Sequence, residues 1–344
     1  MASKKKLIPI IALVLVAGFF LSKFFGPATH KPKENFLFIK TGTDLPALKQ
    51  QLVQEGILNQ LTWFNLTEKV LKIHRVRPGK YEVPKGTSIF SLVRLLRNGQ
   101  QTPVNFVVTK IRTREQLAGK LARSFEFDSL SAIGFLSSND SLKKYNLDTN
   151  TAMAAVLPLS YKSGWATTPG AVYEKFYEAY KTFWNVERKE KAAQQGLTVL
   201  QVITLASIID EETNATAEKG NISSVYLNRI AKGMPLQADP TVKFALKNFG
   251  IKRVLNSHLQ ATSPYNTYRN RGLPPGPICT PMEETIEAVL NSPKTDYLYF
   301  VANKAFDGTH VFTTNYADHM KYAKEYQEAL NNKLAAAKPA VKIP

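Results

Sequence analysis

The sequence predicts a mixed α+β protein with an N-terminal membrane anchor. Three observations predict it. A run of apolar residues follows three lysines at the start of the chain. Strand-like and helix-like segments then alternate around Gly-Thr turns. Finally, a strongly apolar helical segment, Val199 to Ala217, is followed by turn-rich loops and a pair of strands. The second half of the chain is expected to be mainly helical, built around that segment and Glu212 within it. At 344 residues the chain has room for about two domains, taking roughly 150 residues per domain. Its 44% apolar and 21% charged residues match a folded globular chain, so general disorder is excluded.

In chain order, Lys4, Lys5 and Lys6 precede the apolar run Leu7 to Phe25. The run is close to the length a bilayer requires, and Lys23 can snorkel while Phe24 and Phe25 carry apolar character to the interface. A cleavable signal would show small residues at its exit, but here the exit is Phe24-Phe25-Gly26-Pro27, and no lipidation cysteine is nearby. A retained signal anchor is therefore expected. The lysines stay cytoplasmic and everything after Gly26 lies outside.

A Pro-containing spacer, Pro27 to Asn35, leads into a weak internal repeat. Phe38 to Thr43 precedes a helical pattern of Leu45, Leu48 and Leu52. Tyr81 to Thr87 precedes Ile89, Leu92, Val93 and Leu96. A fainter third copy runs from Phe106-Val107-Val108 through Thr113 to Leu117 and Leu121. Each reads as a strand, a turn able to cap a helix, and an amphipathic helix. The Gly-Lys-Tyr start and the helix after the Lys-Gly-Thr-Ser turn resemble a small wall-binding module of the LysM kind; a generic βα packing unit would show the same short pattern.

Phe125 to Asn150 reads as a connection with one helix around Ala132 to Leu136. Ala171 to Gln195 reads as one long charged helix with an apolar stripe of Val172, Phe176, Tyr180 and Phe183. Gly196 ends it, and Thr198 can cap the segment that follows. In that segment Leu205, Ile208, Ile209 and Glu212 share one face at helical spacing. Of the three consecutive acids, Glu212 is thus the one expected to point inward, with Asp210 and Glu211 on the solvent side. A buried carboxylate is costly unless paired or used. On this helix alone, a salt-bridged structural glutamate is the leading reading, and a chemical one stays open beside it.

A second helix, Ile222 to Arg229, is stopped by Gly233. Asp239-Pro240-Thr241 can start another, with proline in its first turn. Ser263 to Tyr268 and Arg271 to Ile278 form stiff Pro/Gly-rich loops of the kind that shape clefts. Tyr297 to Ala302 and His310 to Asn315 read as a hairpin across Gly308, with His319 in the helix beyond. These segments supply one inward acid together with Tyr, Asn, Gln and aromatic side chains, a mix suited to sugars. The chain has no phosphate loop, no Gly-x-Ser-x-Gly elbow and no His-Glu-x-x-His pair. His310 and His319 have no carboxylate at ligand spacing, so neither a metal nor a cofactor is expected. The lone Cys279 cannot form an intramolecular disulfide and reads as a small buried residue. The net charge of +18 favours an anionic environment. With no nucleic-acid motif present, that environment is an acidic wall polymer or lipid surface.

The segments ASIIDEET (206–213), SSVYLNR (223–229), LQADPTV (236–242), SPYNTY (263–268), GLPPGPI (272–278), YLYFVA (297–302) and HVFTTN (310–315) resemble, in order and spacing, the endolytic murein transglycosylases, or YceG-like family. The resemblance runs over about Leu200 to Tyr326, and with the anchor and LysM-like region it takes in nearly the whole chain. It implies a single-pass inner-membrane lyase on the periplasmic side that cuts peptidoglycan strands internally without water. The bond cut is the β-1,4 link between N-acetylmuramic acid and N-acetylglucosamine. The product is a 1,6-anhydromuramic end, which would terminate strand elongation. The family's catalytic glutamate falls on Glu212. Tyr226, Asn228, Gln237, Tyr265, Asn266 and Thr267 are expected to line sugar subsites, with Asp239 and Asn315 orienting loops or Glu212. Peptidoglycan synthases are partners by resemblance only. Asp210 stands where many relatives have glutamate, and Pro158-Leu159-Ser160-Tyr161 replaces a Pro-Asn/Asp-Thr-Tyr segment.

The expected organisation is a cytoplasmic tail (1–6), the anchor (7–25), a LysM-like subdomain (35–103), the catalytic domain (104–330) and a flexible tail (331–344). Two rival functions stay open from sequence: a hydrolytic muramidase pairing Glu212 with Asp239, and a non-catalytic wall-binding anchor of a synthesis complex.

Overall fold

The computed structural model describes residues 2–32 and 35–336, with side chains from residue 8 to residue 334. The fold is mixed α and β, as the sequence predicts. Its elements in order are α1 (Ala2–Phe25), β1 (Phe36–Ile39), α2 (Leu45–Gln54), α3 (Thr62–Leu71), β2 (Gly79–Glu82), α4 (Ile89–Asn98), β3 (Val104–Val107), α5 (Arg114–Ala122), α6 (Ser129–Leu136), α7 (Asn139–Lys143), β4 (Ser160–Ser163), α8 (Pro169–Phe183), α9 (Val186–Gln194), α10 (Val199–Glu212), α11 (Lys219–Ala231), α12 (Asp239–Ala245), α13 (Asn256–Leu259), α14 (Glu283–Leu290), β5 (Tyr299–Ala302), β6 (His310–Thr313) and α15 (Tyr316–Ala336). The chain forms two compact units. The first comprises Met1–Phe106, Leu121–Asp128 and Lys162–Pro169, and the second the remainder. The chain therefore passes between the two units several times.

In the first unit β1 and β2 pair antiparallel, Phe36 opposite Glu82 and Ile39 opposite Gly79. Their inward residues Leu37, Ile39 and Tyr81 meet Leu48 and Leu52 of α2, Phe64 of α3 and Leu92, Val93 and Leu96 of α4 in one buried core. The caps follow from local chemistry: Asp44 accepts from the Ala47 amide and Ser88 from the Ser91 amide. Asp44, one residue beyond the Gly-Thr pair, is thus the cap of α2. Helix α3 goes unread in the sequence because its N-terminus carries no side-chain cap and it ends on Lys72 in the left-handed conformation, with no glycine to mark the stop.

Residues Ile8–Phe25 of α1 are long and apolar enough to cross a membrane, and none of that stretch is buried in the protein. Side chains of the lysines at 4–6 lie outside the described residues. At the other end α15 continues through Ala336, into the segment expected to be a tail; residues 337–344 lie outside the described residues.

In the second unit the core gathers around α10: Val202, Ile203, Leu205, Ala206, Ile208 and Ile209 are wholly enclosed, among Ile222, Tyr226, Ile278, Ile286 and Val289. The segment read as one long helix is two, because Asn185 stops α8 at Phe183 and caps α9 by accepting from the Arg188 amide. Gly196, at φ +71°, then turns the chain into α10. The hairpin has the expected turn at Gly308, with Tyr299 opposite Thr313 and Ala302 opposite His310.

Candidate active site

Helix α10 begins with a capping box: Thr198 accepts from the Gln201 amide while the Gln201 side chain accepts from the Thr198 amide. From Val202 to Asp210 every residue is buried, so the helix is enclosed on all sides and not along one stripe. Ser207 admits the loop after Pro277: its hydroxyl accepts from the Ile278 amide at 3.0 Å, and the Cys279 thiol donates to its carbonyl at 3.4 Å. Gly276 in this loop is required by close approach, since a Cβ there would stand 2.1 Å from the Asn150 carbonyl oxygen.

The three acids at the end of α10 meet different fates. Asp210 is 4% exposed, which corrects its expected place on the solvent side. It pairs with Lys219 at 3.1 Å and Lys110 at 3.2 Å, and the Thr285 hydroxyl donates to it. Burial alone would raise its carboxyl, but Thr285, Lys110 and Lys219 outweigh burial and hold it below the usual carboxylate range. Glu211, also expected toward solvent, is only partly exposed and is gripped by the Arg112 guanidinium, Nε at 3.1 Å and Nη2 at 2.9 Å.

Glu212, the last residue of the helix, has no salt-bridge partner among the described residues. Part of its surface reaches solvent, yet protein atoms crowd the carboxyl. Burial pushes this group up to about 7, and the Asp239 charge pushes the same way; the Tyr226 hydroxyl and Lys243 hold it down in part. The negative end of the helix dipole likewise disfavours ionisation here. The Tyr226 hydroxyl donates to Glu212 Oε1 at 2.8 Å. Burial and the neighbouring Glu212 raise that phenol well above its ordinary range, so it remains a donor. Behind it, Phe300 of β5 meets the Tyr226 ring edge-on at 5.9 Å.

A second tyrosine–carboxylate pair stands close by. Asp239, the first residue of α12, accepts from the Tyr268 hydroxyl at 2.6 Å. Tyr268 was not singled out from sequence, although it closes the SPYNTY segment. Arg229 is 8% exposed and spends its guanidinium on the carbonyls of Leu298 (2.7 Å) and Leu236 (2.8 Å), beneath the Tyr299 ring.

The remaining expected subsite residues divide by what they touch. Asn228 donates both amide protons to carbonyls of Thr295 and Tyr297, tying α11 to the approach to β5. Asn266 is wholly buried, donating to the carbonyls of Leu259 and Ala261 and accepting from the Tyr268 amide; it builds the loop that presents Tyr268. Thr267, equally enclosed, bonds the Thr241 hydroxyl and the Ala238 amide, fixing the start of α12 and so Asp239. Gln237 is exposed and in the left-handed region, φ +54°. Asn315 is exposed and caps α15, accepting from the Asp318 amide at 2.9 Å. Tyr265 packs on Phe244, ring centroids 4.7 Å apart, and lines a cleft of about 110 Å³ with Arg112, Arg114, Asn150 and Lys247. A smaller cleft shares Arg112 and Phe244 and adds Glu211 and Lys243, the last of which also acts electrostatically on Glu212. Among the described residues no group of three or more His, Cys, Asp or Glu is placed to hold a metal ion.

The fold and site define an α+β protein with one proton-retaining glutamate at the end of its central helix, positioned by a buried tyrosine and flanked by amide-rich and aromatic loops. The chain belongs to the YceG-like family, whose model matches residues 37–325. It is 30% identical over 313 residues to the endolytic murein transglycosylase of Bacillus subtilis, across 86% of this chain and 85% of that protein. A Streptococcus pneumoniae protein of the same name is 25% identical over 332 residues, and the match spans only 58% of its length. A YceG-like protein of Listeria monocytogenes with a solved structure shares the fold, with a TM-score of 0.57 at 24% identity, covering 84% of this chain and 99% of that one.

Proposed function

We propose that the protein is a membrane-anchored endolytic lytic transglycosylase of peptidoglycan, with Glu212 as its single acid–base residue. The observation that carries this reading is Glu212 itself: burial pushes its carboxyl up to about 7, and Tyr226 fixes one of its oxygens. The family and the names of the relatives supply the substrate class.

In this reading Glu212 donates its proton to the oxygen linking N-acetylmuramic acid to N-acetylglucosamine. That C–O bond breaks, leaving an oxocarbenium-like centre at C1 and a free hydroxyl on the departing sugar. The muramic acid's own C6 hydroxyl attacks C1 and gives its proton to the Glu212 carboxylate, which restores the acid. The result is a 1,6-anhydro end, with no water consumed and no second carboxylate required. Tyr226 positions Glu212, and Asn266 and Thr267 act through the loops they build. Gln237, Tyr265 and the basic cleft beside Phe244 are the surfaces open to sugar, with Asn228, Asp239 and Asn315 orienting segments around them. Helix α1 anchors the chain in the inner membrane with its N-terminus cytoplasmic, and the subdomain 35–103 holds wall polymer in a LysM-like manner. Work on nascent strands beside a peptidoglycan synthase fits this placement.

One observation favours a second reading, a hydrolytic muramidase: the Asp239 charge acts on Glu212, as a paired general base would. Against it, Asp239 is already engaged by Tyr268. Mass spectrometry of murein digested by wild type and Glu212→Gln decides between them. Anhydro ends from wild type alone support the proposal. Reducing ends would establish the muramidase, and equal cleavage by the variant would remove Glu212 from the chemistry.

A further inference from the structure

Helix α3 carries an apolar stripe on its outer side. Trp63, Leu66 and Val70 are spaced i, i+3, i+7 and lie within about 60° of one another at 100° per residue. Leu66 is 42% and Val70 67% exposed, whereas Trp63 is half-buried and packs against the edge of the core that Phe64 joins from the other side of the helix. The one acid of α3, Glu68, is turned away and paired with Lys49 at 2.7 Å. What flanks the stripe is basic: Lys69 within the helix, then Lys72, His74 and Arg75, all exposed, along the rim of a cavity of about 730 Å³ that has no acidic residue in its lining. An apolar stripe edged by cations is the composition of a helix that lies in a bilayer interface.

A second observation ties Trp63, the first residue of this stripe, to α1. The last turns of α1 surround Trp63: the rings of Phe19, Phe20 and Phe24 stand 6.0, 5.7 and 5.4 Å from it, each edge-on. Phe25 meets Phe90 of α4 at 5.0 Å. From Phe19 to the end of α1 is about 9 Å of helix at 1.5 Å per residue. The apolar segment Ile8–Phe25 is 18 residues long, or about 27 Å, slightly under the ~30 Å of a hydrocarbon core. If α1 spans, Trp63 stands at the depth of its final turns, where aromatic residues gather in membrane proteins. Lys23 and Arg94, which rest over the Phe19 and Phe90 rings, add cations at this same end of α1.

We propose that α3 is a membrane-docking helix: Trp63, Leu66 and Val70 enter the boundary between acyl chains and headgroups, and Lys69, Lys72 and Arg75 bind anionic lipid. The first unit is thereby laid on the bilayer and not left to swing from a single anchor. The inference rests on the reading of α1 as a spanning anchor.

The test uses the full chain in nanodiscs of mixed zwitterionic and anionic lipid, with single spin labels placed through Leu66→Cys and Val70→Cys. Cys279 is buried and does not compete for the label. Control labels replace Val14 on α1, 63% exposed, and Val186, an exposed valine of the second unit. Oxygen and nickel-chelate accessibility should place labels 66 and 70 about 5–10 Å below the phosphates, the Val14 label deeper still, and Val186 in water. A Lys69→Glu/Lys72→Glu variant should lift labels 66 and 70 toward the aqueous reading in anionic discs. A buried Val14 label with labels 66 and 70 as aqueous as Val186 would overturn the docking while leaving the anchor intact. An aqueous Val14 label would remove the anchor itself, and the docking with it. Strong dipolar broadening between two labelled copies, without lipid contact, would assign the stripe to a second copy and also refute the proposal.

Discussion

Replacing Glu212 by glutamine should stabilise the protein above neutral pH and leave it unchanged in acid. Folding raises the carboxyl from 4.5 to about 7, chiefly through burial. The native state therefore holds a proton that the unfolded chain has already released across this window. Stability conferred by the neutral acid is complete below 4.5, falls as pH rises past that value, and is fully lost above about 7. At about 1.4 kcal/mol per tenfold change in proton affinity, the loss comes to about 3.5 kcal/mol. Glutamine has nearly the same shape, still accepts from Tyr226 and never ionises. The assay is urea unfolding of wild type and Glu212→Gln, side by side in the same micelles, at pH values from 4 to 9. The stability difference should be near zero at the acid end and grow to about 3.5 kcal/mol in favour of the variant at the alkaline end. A difference that stays flat with pH would mean that Glu212 ionises as it does in the unfolded chain. The proton-donor assignment would then lose its physical basis.

Tyr226→Phe removes a hydrogen bond that favours the ionised form, so the pH above which cleavage declines should move upward while the maximal rate falls; a pH–rate profile on isolated glycan strands reads both effects, and an unmoved alkaline limb would reduce Tyr226 to packing. Lys219→Met takes one cation from the enclosed Asp210 and should destabilise the fold by about 3 kcal/mol, measurable as a lowered urea midpoint; Thr285→Val in the same background should add less than its separate effect, because the two share Asp210.

Much of the fold was legible because its signals are local. The cap at Thr198, the glycine stop at Gly196 and the hairpin turn at Gly308 each depend on a few neighbouring residues, and each lies where the pattern placed it, while the caps of α2 and α4, Asp44 and Ser88, each fall one residue beyond the Gly-Thr pair. The expected single helix from Ala171 to Gln195 failed for a related reason: Asn185 looks like one polar residue on a charged helix until its side chain caps α9 and breaks the run. Helix α3 had no cap to announce it, and its exposed apolar stripe blurs the amphipathic pattern that a core-facing helix shows.

The site tests a different kind of legibility. Periodicity selected Glu212 as the inward acid, but α10 is enclosed on all sides and Asp210 lies deeper. What separates the three acids is which of them folding supplies with a cation. Asp210 and Glu211 receive Lys110 and Arg112 from about one hundred residues earlier in the chain, and Asp210 also receives Lys219. Glu212 receives a tyrosine hydroxyl and a neighbouring acid. An ion-paired carboxylate gives up its proton readily, whereas one with no salt-bridge partner in crowded surroundings is pushed up to about 7. The two ion-paired acids also brace the helix end against movement, so the carboxyl with the raised proton affinity is presented from a fixed position. The family motif reaches Glu212 by resemblance, while the physical cause of its distinct behaviour lies in long-range pairing that no local spacing records.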